Sequence, residues 1–278
     1  MVARVETRLP NCRRDVDVET YLQRIGYDGP RDPTADTLRL LQRAHMFSVP
    51  FENLDIHLGN YIDLLLPSFY DKIVRRRRGG FCYELNGLFA WLLERLGFGV
   101  TLHSGRGFTA GQPGPEFDHL VLRVDLEERW VADVGFGDSF LEPLRLDPEA
   151  VVEQQGSRYS ITEAGDERTL QRRRGDAAWE PQYVFTLIPR KLPEFSAMCH
   201  QQQTSPESVF TRKSVCSLAT PRGRVTLSGS RLIVTTEGLR EERPVASEAE
   251  YRQILRTRFG VELGRGSSLQ RVMAAPSN

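Results

Sequence analysis

The feature that most constrains this chain is a change of apolar period at Gly97. Leu85, Leu88, Phe89, Leu92, Leu93 and Leu96 recur at i, i+3, i+4, i+7, i+8 and i+11, the spacing of one helix face. Gly97 ends that stripe. From Phe98 the pattern becomes that of strands: GVTLHSGR and HLVLRV are short and rich in β-branched residues, and RWVADVGF alternates. Upstream, Asp17 is placed to cap a helix ending at Gly26, and Thr34 one that carries Leu38, Leu40, Leu41 and Ala44 and stops before Pro50. Ser68 is expected to open a further helix over FYDKIVRR. Downstream, YVFTLI (183–188) and the hairpin-like RVTLSGSRLIVTT (224–236) read as strands. Ser247 with Glu250 forms a capping box for a helix carrying Tyr251, Ile254, Leu255 and Phe259. The stretch GFTAGQPGPEFD reads as a Gly/Pro loop. Helices, then strands, then a mixed tail imply an α+β chain with segregated parts.

The 278 residues can bury a substantial core, and length alone suggests about two domains. Lys plus Arg and Asp plus Glu balance at 37 each, which does not support a nucleic-acid partner. No apolar run approaches the roughly 20 residues of a membrane span, and the first residues lack a signal-peptide h-region, so a cytoplasmic protein is expected. Cys12, Cys82, Cys199 and Cys216 are scattered without a C-x-x-C pair; neither a metal site nor a disulfide framework is indicated. The Arg172–Arg174 run reads as solvated surface.

RRRRGGFCYELNGLF (75–89) sets paired glycines before a thiol that opens the striped helix. A helix N-terminus favours thiolate and offers N–H donors to an oxyanion, the Cys82 amide being the natural one. The glycines permit sharp turning and close approach of a substrate to the backbone. A lone cysteine equally suits a small buried hydrophobe. A nucleophile needs a base and an orienter for it. In FDHLVLRV, Leu120, Leu122 and Val124 make one face and His119 points to the other. In RWVADVGFG, Trp130, Ala132 and Val134 make one face and Asp133 points away. If these strands form a hairpin with their apolar faces together, even-numbered residues pair with even-numbered ones. A three-residue Asp125-Leu126-Glu127 loop then pairs Val124 with Glu128 and sets His119 opposite Asp133. His119 as a core histidine and Asp133 as a turn residue remain alternatives at this level. Gly135-Phe136-Gly137 is either a place where a pyrophosphate nears the backbone or a plain strand end.

RRGGFCYELN, FDHLVLRV and VADVGFGD, in that order, resemble the Cys, His and Asp blocks of the arylamine N-acetyltransferases. VPFENLDI (49–56) and QTSPESVF…VCSLATPRGRV (203–225) resemble further segments of that family. The resemblance covers nearly the whole chain. It implies Cys82 as nucleophile, His119 as base and Asp133 as orienter. It also implies a papain-like core cut near residues 97 and 195: a helical domain (1–97), a β-barrel domain (98–195) and an α/β lid (196–278). Phe51 and Phe210 match positions lining the amine pocket, and Arg78 would pair with Glu52. Acetyl-coenzyme A is the implied co-substrate, with Gly135 and Gly137 as candidate contacts. Val121 departs from members that carry a hydroxyl residue there. No metal, membrane or nucleic-acid partner is implied, and the oligomeric state is left open. Two rivals use the same triad: an amide synthase acting on a polyketide-type acyl chain, and a papain- or transglutaminase-like hydrolase.

Overall fold

The computed structural model describes residues 16–146, 150–264 and 266–274; Cys12 lies outside them. Helix α1 (Val18–Ile25) is capped by Asp17, which accepts the Thr20 N–H at 2.7 Å, and ends at Gly26 with φ 66°. Helix α2 (Ala35–Ser48) is capped by Thr34 and stops at Val49, before Pro50. After strand β1 (Phe51–Glu52) and helix α3 (Leu54–Leu58), helix α4 spans Leu66–Tyr70. It starts after Leu65 rather than at Ser68, because Pro67 brings a helix-ready φ into its first turn. It continues as a π-helical turn, Asp71–Arg75, and Arg77 leaves it with φ 51°. Helix α5 (Cys82–Arg95) buries its stripe at the centre of the molecule.

The second region is an antiparallel sheet of β2 (Gly99–Thr109), β3 (Gln112–Pro113), β4 (His119–Asp125), β5 (Arg129–Ala132), β6 (Leu144–Arg145), β7 (Val152–Gln154), β8 (Ser157–Ala164), β9 (Glu167–Arg174) and β10 (Glu180–Thr186). The strand order is β6-β5-β4-β2-β10-β9-β8-β7, with β3 paired to β2. The sheet curls into a nearly closed barrel around Val121, Val131, Phe140, Tyr159, Ile161, Leu170, Tyr183 and Phe185. Gln154 draws its two ends together, accepting the Leu141 and Glu142 N–H groups at 2.7 and 2.9 Å. The outer face of β4 and β5 (Leu122, Val124, Trp130, Ala132) packs with α5 in the helical core.

The third region holds α6 (Ser196–Thr204), α7 (Val209–Arg212), β11 (Val215–Thr220), β12 (Gly223–Ser228), β13 (Arg231–Thr236), β14 (Leu239–Pro244), α8 (Glu248–Phe259) and α9 (Gln270–Met273). Its sheet, ordered β1-β11-β12-β13-β14, recruits β1 from the helical region. Tyr251, Ile254, Leu255 and Phe259 of α8 pack with Leu227 and Leu232 in one core. Ser247 caps α8, while Glu250 reaches back to the N–H of Ala246 rather than of Ser247. No described helix is long and apolar enough to cross a membrane.

Three further expectations need correction. The β4–β5 register pairs Val124 with Trp130 and Leu122 with Ala132, two residues from the one expected. A slip of two keeps every side chain on the same face, so apolar patterning cannot distinguish the two registers. The 107–115 segment is partly a hairpin: β2 turns at Ala110 (φ 52°) and Gly111 (φ 76°) into β3. The β8–β9 hairpin was not anticipated, and it changes the arginine run. Arg172 is buried, and it joins Arg174 and Arg224 on the Asp138 carboxylate at 3.2, 2.7 and 3.1 Å, linking barrel to lid.

Candidate active site

Cys82 is the first residue of α5, against the barrel rim. Its thiol faces the Asp118 carbonyl at 4.0 Å, the residue before His119. On another side lies Gly135, where a Cβ would come within 2.8 Å of the Cys82 Cα. The start of α5, the start of β4 and the segment after β5 thus meet at one point. There His119 Nε2 lies 2.7 Å from Asp133 Oδ2. Asp133 has left the ladder, since β5 ends at Ala132, so this contact does not come from the cross-strand pairing expected.

A residue without a sequence-level expectation ties these pieces together. Asn86, one turn after Cys82, donates to the Leu120 carbonyl at 2.6 Å and to Asp133 Oδ1 at 2.8 Å, and accepts the Val134 N–H at 2.8 Å. The Gly135 N–H also donates to Asp133 Oδ1 at 2.8 Å, and Gln42 accepts the Asp133 N–H at 3.1 Å. A buried asparagine four residues after the thiol, inside an apolar helix, was the available signal. The imidazole of His119 packs against Phe136 and Tyr183, with ring centroids 5.1 and 5.0 Å away. Burial, then the Asp133 carboxylate, holds the Tyr183 proton in place.

Burial pushes the Cys82 thiol well above the usual range, and Asp118, Cys199 and Asp133 push the same way.

The glycines have intramolecular tasks. A Cβ on Gly79 would lie 1.9 Å from the Pro50 carbonyl, and one on Gly80 would lie 2.8 Å from Glu84 Cβ. What comes close to this backbone is the chain itself. The Gly135 N–H is engaged with Asp133 Oδ1. Gly137, with φ 84°, faces the Phe51 ring.

Phe51 and Phe210 stand 6.3 Å apart between ring centroids, and Phe81 meets Phe210 edge-on at 5.8 Å. They pack in the apolar cluster that contains Cys82. Behind the first turn of α5 lies a buried ionic cluster. Arg78 contacts Glu52 at 2.7 Å and Asp55 at 3.2 Å. Lys72 contacts Asp55 and Glu84, each at 2.9 Å. Neither Lys72 nor Glu84 had been singled out.

A family model described as N-acetyltransferase matches residues 34–268. The chain is 38% identical over 258 residues to an arylamine N-acetyltransferase of Mycolicibacterium smegmatis, covering 90% of this chain and 93% of that one. The fold matches the structure of the M. smegmatis arylamine N-acetyl transferase with a TM-score of 0.86 at 35% identity, over 93% of this chain and 98% of the other. It matches Mycobacterium marinum arylamine N-acetyltransferase in complex with CoA with a TM-score of 0.82 at 33% identity, over 88% and 93%. The helix that opens on Cys82, the paired His119 and Asp133 and these matches agree: the chain is an acyltransferase of the arylamine N-acetyltransferase family.

Proposed function

We propose that this enzyme moves an acetyl group from acetyl-coenzyme A to an arylamine, arylhydroxylamine or hydrazine, with Cys82 as the intermediate carrier. The observation that carries the reading is the 2.7 Å His119–Asp133 contact at the point where α5 presents Cys82. Because burial opposes an isolated thiolate, charge would develop on sulfur as the proton passes to His119, with Asp133 balancing the imidazolium. The sulfur attacks the acetyl carbonyl, and first-turn N–H groups of α5 receive the oxyanion. Collapse breaks the bond to the coenzyme sulfur, which leaves with the proton from His119. The amine nitrogen then attacks the acetyl-Cys82 thioester, His119 takes its proton, and Cys82 is released as thiol. Phe51 and Phe210 would wall a flat amine and exclude water from the thioester.

The division of labour follows the cuts near 97 and 195: the helical domain supplies the thiol, the barrel the base and orienter, and the lid Phe210. Support for coenzyme A comes from the complex formed by the M. marinum relative. Gly135 and Gly137 are the candidate contacts for it, with the Gly135 N–H already engaged by Asp133. The free thiols of Cys82, Cys199 and Cys216 suit the reducing cytoplasm. Two-substrate kinetics test the reading: parallel double-reciprocal lines across acetyl-coenzyme A and arylamine concentrations are expected. Intersecting lines, or acetyl-coenzyme A consumption indifferent to amine, contradict it.

A further inference from the structure

The five charges behind α5 do not balance. Glu52, Asp55 and Glu84 face Lys72 and Arg78, all buried, which leaves one negative charge in excess if every carboxylate is ionised. Glu84 is the member tied to the nucleophile's helix. Its Oε2 accepts the Phe81 N–H at 3.2 Å, immediately before Cys82, and its two oxygens take the Lys72 ammonium at 2.9 and 3.1 Å. Both oxygens are occupied by donors, so an added proton must displace one of them, and on Oε2 it weakens the bond that fixes Phe81. Water can supply that proton from outside the active site. A cavity of about 380 Å³ is lined by Glu84, Lys72, Asp55, Asp63, Asp71 and Arg76, and not by Cys82, His119 or Asp133.

We propose that Glu84 is a proton-sensitive positioning residue: ionised, it locks Phe81 and the start of α5 so that Cys82 is set for attack; protonated, it releases them.

The surroundings put that change near neutrality. Burial pushes the Glu84 carboxyl up to about 7, Glu52 and Asp55 add to the rise, and Lys72 limits it. Arg78 lies beyond Lys72 in the same cluster, and Cys199 of α6 senses the Glu84 charge from the lid side. The ionised carboxylate is screened from Cys82 by the ammonium bound to it, so its effect on the thiol runs through position rather than field. The inference rests on Cys82 being the reactive thiol and not on what it transfers.

The test is the rate of Cys82 alkylation by iodoacetamide against pH, followed on the Cys82 peptide by mass spectrometry in the intact enzyme, Glu84→Gln and Lys72→Met. The native enzyme should lose reactivity toward acid in two protonation steps, one near neutral pH. Glu84→Gln should lack the neutral step and fall with one. Lys72→Met should move the neutral step to higher pH, because the cation that limits it is gone; if that variant does not fold, the Glu84→Gln profile decides. A Glu84→Gln profile that is the native curve scaled by a constant factor overturns the proposal, as does a Lys72→Met midpoint that stays in place. The predicted profile in a chain that transfers no acetyl group would overturn the transferase reading and leave this one standing.

Discussion

The first turn of α5 has a polar cluster on each side, and the two hold carboxylates in opposite ways. In front, Asp133 is gripped by neutral donors, the Asn86 amide and the Gly135 N–H, with His119 on its other oxygen. Behind, Glu52, Asp55 and Glu84 are held by the cations Lys72 and Arg78. A guanidinium on Asp133 would spend its charge before any reaction. Amide donors orient the carboxylate and leave that charge for an imidazolium. The rear carboxylates have no such duty, and in the interior each needs a countercharge. On the proposed mechanism one side serves the chemistry, and the other anchors the helix that presents the thiol.

The contrast is broken most directly at Asp133. Asp133→Asn should lower kcat/KM by about 10⁴-fold, the scale on which a triad carboxylate acts, with little change in the denaturation midpoint. A loss within tenfold would put Asp133 among the anchors. Lys72→Met should act chiefly on stability. It leaves buried carboxylates short of a cation and should cost about 3–5 kcal/mol in denaturant unfolding; a cost well under 1 kcal/mol would mean the cluster is solvated. Asn86→Ala lies between: activity down about 10²-fold as Asp133 and Cys82 shift relative to each other, and stability down about 1–3 kcal/mol.

A further effect is one of pH. Because the Glu84 carboxyl sits above its ordinary value of 4.5, at about 7, the fold favours its protonated form. Its contribution to stability is therefore full below the ordinary value and is lost as pH rises toward 7. Glu84→Gln removes that slope, so its denaturation midpoint should gain on the native enzyme across this window. Midpoints that run parallel would show Glu84 already ionised at acid pH.

Helix caps and stripes were legible because their signals are local: Asp17, Thr34 and the Leu85–Leu96 stripe each act within a few turns. The α+β order followed from the change of period at Gly97. Strand register was not legible, since a two-residue slip hides no apolar face. The β8–β9 hairpin was missed because Arg168, Arg172, Arg173 and Arg174 mask a strand whose inward residue is Leu170. Cys82, His119 and Asp133 were singled out by residue type and resemblance. Asn86 and the Lys72–Glu84 pair were not, because their partners are 12 to 48 residues away.

The central claim is that Cys82 carries the acyl group. Mixing the enzyme with acetyl-coenzyme A in the absence of amine and mapping its peptides by mass spectrometry tests this directly. The account predicts one acetyl group on the Cys82 peptide, lost on adding an arylamine in step with formation of the acetylated amine. Acetylated amine formed while the Cys82 peptide stays unmodified, or formed at full rate by Cys82→Ala, would contradict it.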